Sequence, residues 1–171
     1  IFRIPTFNDL YYNLVGEPNL KPEKAKQYNL HTAYFAHWGE ENYHNIYLGI
    51  DLYHNKVKDK IVAVPRNNLF IWSMVNYGQV TINGLEIKLN YTHERFINKE
   101  NMKINLNLIY NYQQAIDSDK NSNTYQHQIQ YTPRHSANAI ATISLKDYSL
   151  AYTLSAVGKR YTMNENTNRN S

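Results

Sequence analysis

The chain has 171 residues, of which 42% are hydrophobic, yet it has no run of eighteen or so apolar residues, which excludes a helical membrane protein. Its formal net charge is +4, but the 18 Lys and Arg residues are scattered among 14 acidic residues, so we expect no nucleic-acid partner. Cysteine is absent, which removes disulfides and thiolate metal sites.

The first periodic stretch covers residues 27–36 and repeats every two residues. Its even-numbered positions are mostly apolar and its odd-numbered positions mostly polar. A second stretch at residues 45–53 does the same, with Ile or Leu at alternate positions. Because successive side chains of a strand point to opposite faces, we predict two strands joined by a short connection near Gly39-Glu40.

Between Trp72 and Tyr91 the alternation changes phase. Val80 and Ile82 are even-numbered, whereas the apolar residues from Leu85 to Tyr91 are odd-numbered. An Asn-Gly pair at 83–84 lies at the change and is typical of a β-bulge. We therefore predict one long strand with a bulge, and not two strands.

Three more stretches follow. Residues 103–113 alternate most clearly, with Ile109 the one apolar residue on the polar face. Residues 136–144 alternate small side chains with Asn138 and Thr142, and residues 148–155 alternate Tyr and Leu with Ser and Thr. The sequence thus predicts an all-β, antiparallel fold of about six strands.

The connections differ in length. Short ones fall near Gly39-Glu40 and Lys146-Asp147, and longer polar ones at residues 59–68 and 117–126. A connection of intermediate length is expected at residues 93–101. Short turns on one side and long loops on the other are typical of a transmembrane β-barrel.

Aromatic residues recur near the ends of the stretches, as expected of the girdles that flank the apolar band of a membrane barrel. They are Tyr28, Trp38, Tyr43, Trp72, Tyr91, Tyr112, Tyr131, Tyr148 and Tyr161. Polar side chains in mid-strand fit a wet lumen better than a dry core. The pattern favours part of a transmembrane barrel, and it leaves open a soluble all-β ligand-binding module and a structural or adhesive surface barrel.

Four segments resemble TonB-dependent outer-membrane receptors. Residues 2–12 (FRIPTFNDLYY), followed by residues 16–23 (GEPNLKPE), resemble a box that in this family leads from an external loop into a descending strand. Residues 76–86, 131–138 and 157–161 are similar to later strands, in the expected order.

The resemblance implies that residues 1–171 are a fragment of a receptor barrel domain from a Gram-negative bacterium. Family members have an N-terminal plug and a barrel of about 22 strands, so we expect the plug, the final strands and the TonB-contacting segment to be absent. The start at Ile1, without Met, agrees with this expectation. The implied partners are the TonB complex, through the plug, and outer-membrane lipid.

The family also implies active transport of a scarce nutrient such as a siderophore, cobalamin or a haem-like compound. In haem receptors a His between the paired motifs ligates iron, but no His lies between Phe2 and Leu20, and Glu17 stands where Asn is usual. This disfavours haem. We expect no enzymatic activity and no cofactor, since no Ser-His-Asp order or phosphate-binding loop stands out.

Two sets of residues are candidates for binding. Arg66, Asn67, Asn68, Tyr125 and His127 lie in predicted external loops and are candidate substrate contacts. Asp117, Asp119, Asn121 and Asn123 place oxygen atoms at every second position, as calcium loops do. The glycine and closing Glu of an EF-hand are missing, so a solvated polar loop is the favoured interpretation. The seven His residues show no compact metal-ligand spacing.

Overall fold

The structure, a computed structural model, describes residues 1–65, 71–97, 100–162 and 169–170. These residues form one short helix and a set of β-strands. The elements are β1 (Phe2–Arg3), α1 (Phe7–Tyr11), β2 (Glu23–Trp38), β3 (Asn42–Pro65), β4 (Trp72–Ile97), β5 (Glu100–Asp117), β6 (His135–Leu145), β7 (Tyr148–Val157), β8 (Arg160–Tyr161) and β9 (Arg169–Asn170). In the described part of the chain, no helix is long and apolar enough to cross a bilayer.

Strands β1 to β7 form one antiparallel sheet in which each strand pairs with the next in chain order. Strands β8 and β9 form a separate pair. Six of the seven sheet strands are long, so the predicted all-β antiparallel fold of about six strands is confirmed. The up-and-down order is that of a barrel wall. The sheet ends at β7 on one side and at β2 on the other, where the two-residue β1 pairs with Glu23 and Lys24 alone.

The register puts most apolar residues of the six long strands on one face. Leu30 pairs with Leu52, which pairs in turn with Leu85. Side chains on this face are half-buried along the central strands and exposed on the outer ones, with Leu30 on β2 accessible over 66% of its surface and Leu150 on β7 over 73%. An apolar face of this extent is unfavourable in water, and it matches the lipid-facing band of a membrane barrel.

The opposite face is polar along the same strands. The His31 ring nitrogen Nδ1 lies 2.7 Å from Asp51 Oδ1 on the neighbouring strand, and Asp51 pairs in register with Glu86 on β4. Lys88 and Glu86 form an ion pair on this face. Such groups would be costly in lipid but are tolerated in a wet or plugged lumen.

Aromatic and imidazole rings mark both ends of the apolar face. At one end the rings of Trp38 and His44 stack at 5.0 Å, and His44 Nδ1 lies 2.8 Å from the Tyr91 hydroxyl. Tyr28 and Tyr112 flank the other end. On β2, Tyr28 and Trp38 lie at the two ends of the apolar stretch, which is about 33 Å long along the strand. With the strand tilt this corresponds to a height of about 25 Å, the height of a barrel's apolar band. We call this outward apolar face the membrane band.

The predicted bulge at Asn83-Gly84 is wrong, although the single long strand is confirmed. Pairing of β4 with β3 and with β5 continues through both residues without an extra residue. Gly84 instead makes room for a ring, since a Cβ there would clash with the side chain of Tyr53. The apolar residues change faces because Val80 and Ile82 contact a small internal core, whereas Leu85 and its successors face lipid.

Two predicted connections are also shorter than expected. Most of residues 93–101 lie in strands, since β4 ends at Ile97 and β5 begins at Glu100. Likewise β3 runs to Pro65, so its outer part replaces much of the predicted loop at 59–68. The turns at Gly39-Glu40 and Lys146-Asp147 are confirmed. The short turns share one side of the sheet and the long connections the other, which in bacterial barrels is the external side.

Candidate functional site

The pair β3–β4 extends well beyond its neighbours on the side of the long connections. Its ladder continues to Pro65 and Trp72, whereas β2 pairs with β3 only as far as Lys58, and β5 reaches β4 only as far as Val80. Residues 59–65 and 72–79 therefore form a two-stranded projection, which we call the external arm. Both edges of the arm would be unpaired without further contacts.

The N-terminal segment, residues 1–22, crosses the arm and helps satisfy both edges. On one edge the Ile61 N–H donates to Glu23 Oε1 at 2.7 Å, at the point where the segment enters β2. On the other edge the Met74 N–H donates to the Val15 carbonyl at 2.9 Å. These bonds satisfy backbone groups at the edges of the arm that would otherwise be free to pair with other chains.

An ion cluster holds the N-terminal segment in place. The Arg3 guanidinium lies 3.0 Å from a carboxylate oxygen of Asp9 and 3.0 Å from one of Glu23. Thr6 caps helix α1 through a reciprocal pair of bonds with Asp9. Burial acts to raise the pKa of Asp9, but the hydrogen bonds from Thr6 and the charge of Arg3 outweigh it and hold that pKa below its ordinary value.

Asn76 joins the N-terminal segment to the middle of the arm. Its Oδ1 accepts from the Lys21 N–H at 2.8 Å, and its Nδ2 donates to the carbonyls of Lys21 and Asp59 at 3.0 and 2.7 Å. Asp59 has a positive φ of 53°. The Asn76 amide therefore bonds three backbone groups from two separate segments.

The connection after β5, residues 118–134, turns back along β5 and covers the base of the arm. The Asp117 N–H donates to the His127 carbonyl at 2.9 Å and the Ile129 N–H to the Ala115 carbonyl at 2.8 Å. Ile129 packs against Val80 and Ala115, and all three are buried. Among the described residues, this cluster is the main apolar core on the inner face of the sheet.

Asp117 organises that connection from a buried position, with 1% of its surface exposed. Its Oδ1 accepts from the Asp119 N–H at 3.0 Å, and its Oδ2 accepts from the Thr124 hydroxyl at 2.6 Å. Burial, and to a lesser extent the charge of Asp117, raises the pKa of Tyr77 to about 12. Asp119 lies against Gly78, where a Cβ would clash with its carboxylate.

Of the four calcium-loop candidates, Asp117 is the last residue of β5, and Asp119, Asn121 and Asn123 lie in this connection. Asp119 Oδ1 accepts from the Asn121 N–H at 3.0 Å, and Asn123 is exposed at the tip. Within the described ranges no group of three or more His, Asp and Glu side chains is placed to hold a metal ion. The observed bonds are those of a polar loop held by its own side chains, and calcium binding by the candidates stays a prediction.

A ring cluster joins three external connections. The rings of Trp72 and Tyr131 lie 4.9 Å apart, the Arg160 guanidinium carbon lies 6.0 Å from the centre of the Tyr131 ring, and the Tyr131 N–H donates to the Tyr161 carbonyl at 2.9 Å. We call Trp72, Tyr131 and Arg160 the mouth cluster. Assignment of Trp72 and Tyr131 to a membrane girdle was wrong, because Trp72 lies about 35 Å of strand beyond the band.

Of the predicted substrate contacts, the structure places two. Tyr125 is exposed, and His127 is half-buried, in the connection that follows β5. Arg66, Asn67 and Asn68 lie outside the described residues. Sequence reasoning missed the mouth cluster as a candidate contact surface, although Trp72, just after the predicted long loop, and Tyr131, ahead of Thr132-Pro133, were signals of external rings.

Comparisons with known proteins agree with this architecture. From residue 1 to residue 171 the chain matches a family model described as TonB dependent receptor-like, beta-barrel. It is 32% identical over 87 residues, or 51% of its length, to a protein of Vibrio vulnificus named Vitamin B12 transporter BtuB. It is 30% identical over 96 residues, or 53% of its length, to a protein of the same name from Photobacterium profundum. The matched stretches cover 13% and 14% of those two proteins.

Proposed function

Because the chain belongs to the TonB-dependent receptor family and forms part of an outer-membrane β-barrel, we propose that its parent protein binds a scarce nutrient outside the cell and imports it. The observation that carries this proposal is the family match along the whole chain. The membrane band supports it, since an exposed apolar face needs lipid. The soluble-module alternative is set aside on the same grounds.

The favoured substrate is a cobalamin-like compound. Two relatives that match about half of the chain are named vitamin B12 transporters. Haem is less favoured, because the N-terminal box has no His between Phe2 and Leu20 to ligate iron. A siderophore is the second candidate, and it would be bound by the same external surface.

The external connections would supply the contacts. The mouth cluster offers two flat rings beside a guanidinium, which suits a large substrate with both apolar and anionic parts. Tyr125 and His127 belong to the connection that also carries Tyr131, and Arg66, Asn67 and Asn68 to the one that ends at Trp72. We include these five residues in the proposed binding surface.

Import would require a plug and an energy source from outside these residues. We propose that the parent protein carries a plug domain inside its barrel and contacts the TonB complex through it. The polar inner face, with His31, Asp51, Glu86 and Lys88, would line the space around that plug. The barrel strands that lie outside these residues would close the sheet between β7 and β2.

Uptake of labelled cobalamin by cells whose sole receptor is the full-length parent tests the proposal. We expect uptake that stops when TonB is deleted. Uptake should fall about tenfold or more in Trp72→Ala/Tyr131→Ala, since each ring that the substrate covers contributes of the order of 1 kcal/mol to binding. Tyr148→Ala, at a turn on the opposite side, is the matched control and should keep full uptake. Uptake of a ferric siderophore but not cobalamin would shift the substrate class, and uptake of neither would refute import.

A further inference from the structure

Four lysines share one small area of the outward face, just beyond the membrane band. Lys24 and Lys26 lie on β2, and Lys56 and Lys58 on β3; all four are exposed. The register places Lys24 directly opposite Lys58, and Lys26 directly opposite Lys56. We call these four residues the lysine patch.

Such an arrangement is unfavourable without an external anion. Like charges on directly opposite residues of two strands repel each other and destabilise the pair. None of the six ion pairs among the described residues involves a lysine of the patch. The nearby carboxylate of Glu23 is already bonded to Arg3 and to the Ile61 N–H.

The depth of the patch in the membrane suggests what the anion is. Lys26 lies one outward-facing position beyond Tyr28 on the side of the long external connections, about 7 Å further along the strand. Aromatic girdles lie at the level of the lipid headgroups. The lysines therefore lie at the height of the outer-leaflet headgroups, where phosphate groups are found.

The surroundings of the patch are apolar and suit an amphiphile. The four lysines line a hollow together with Ile1, Phe2, Ala25 and Gln79. Phe2 pairs with Lys24 and so lies on the same face, and both Ile1 and Phe2 are more than half exposed. A headgroup with phosphate against the lysines would have apolar surface beside it and the membrane band below it.

We propose that the lysine patch binds the phosphate groups of a phosphorylated lipid in the outer leaflet. Ammonium groups form charge-assisted hydrogen bonds with phosphate oxygens, and a bound headgroup would neutralise the two repelling cross-strand pairs. This inference requires the outer-membrane location and the external position of the long connections. It does not depend on which nutrient the parent protein imports.

The test uses the full-length receptor in phosphatidylcholine bilayer discs with and without lipid A, a phosphorylated glycolipid. Bound lipid is counted by native mass spectrometry after mild detergent release. Each lysine near a charged membrane surface changes affinity about fivefold. We therefore expect Lys24→Gln/Lys26→Gln/Lys56→Gln/Lys58→Gln to lower lipid A affinity by roughly a hundredfold or more. A control with Lys21, Lys120, Lys146 and Lys159 changed to Gln loses the same charge and should bind as the native receptor does.

Equal retention of lipid A by the patch variant and the control would overturn the proposal, as would equal losses in both. Binding of inorganic phosphate at the patch with no retention of lipid A would also overturn it, because the patch would then be a simple anion site. If the fourfold variant does not fold, Lys24→Gln/Lys58→Gln, which removes one cross-strand pair, should still lower affinity about twentyfold. Cobalamin uptake by the folded variants should be unchanged, which separates this inference from the proposed function.

Discussion

The membrane band and the external arm use the same β-ladder but are stabilised differently. In the band, strands pair with their neighbours in the chain, apolar side chains stay exposed for lipid, and polar ones face inward. In the arm, two strands leave the sheet, and their edges and inner side are covered by residues 1–22 and 118–134. The band is thus specified by local alternation, whereas the arm depends on contacts between distant segments, such as those of Lys21 with Asn76.

The largest expected effect comes from a charge in the band. Leu89→Arg places a guanidinium near the middle of the lipid-facing side, which costs about 2–4 kcal/mol in membrane barrels. Asn90→Arg, one residue further on the lumen face, is the matched control and should cost much less. The measurement is the folded fraction of the full-length receptor by heat-modifiable gel mobility. Equal losses for both variants would mean that the two faces are not lipid and lumen.

Glu23→Ala should lower the local stability of the arm by about 2 kcal/mol. The change removes the acceptor for the Ile61 N–H and one partner of Arg3. Hydrogen exchange at the Ile61 amide should rise while exchange in the band is unchanged. Glu17→Ala removes a carboxylate that bonds Asn19 within its own turn and serves as control. Unchanged protection at Ile61 would contradict the account of the arm's edge.

A smaller loss of stability, about 1 kcal/mol, is expected from Gly78→Ala, where the arm contacts the connection after β5. Gly78→Ala puts a methyl group where Asp119 now lies, so this connection must shift. Proteolysis within residues 118–126 should become faster in the variant. Asp119→Ala removes both the clash and the bond from the Asn121 N–H, so the double variant should be cleaved no faster than Asp119→Ala alone. Faster cleavage of the double variant would show that the close approach is not the cause.

The smallest expected effect is a pH dependence of the N-terminal segment. The pKa of Asp9 is lowered in the folded protein, so the stability it contributes is fully present above the ordinary aspartate value of about 3.9 and is lost as pH falls through the lower folded value. Hydrogen exchange in residues 6–12 should therefore rise on acidification through that range. Asp9→Asn should remove this dependence and show raised exchange at neutral pH. If hydrogen exchange in residues 6–12 of the native protein did not change with pH over that range, the proposed role of the ion cluster would be contradicted.

Prediction from the sequence succeeded for the strands that can be identified from apolar residues at every second position. The strands at residues 103–113 and 148–155 were placed correctly because lipid and lumen impose opposite polarity on alternate residues. It failed at Gly84, where the phase change reflects a core on the inner face and room for Tyr53, not a bulge. It also failed at Trp72 and Tyr131, since a ring near a strand end has the same pattern whether it contacts lipid or another external ring.

The sequence by itself determined the six long strands, the two faces, the short turns and the family, because each follows from local periodicity or from a continuous motif. Only the tertiary structure decided how far β3 and β4 extend, why Asp117 is buried, and which rings meet in the mouth cluster. Those features depend on backbone and side-chain partners that are tens of residues apart in the chain, as Asn76 is 55 residues from Lys21. No local pattern records such a distance.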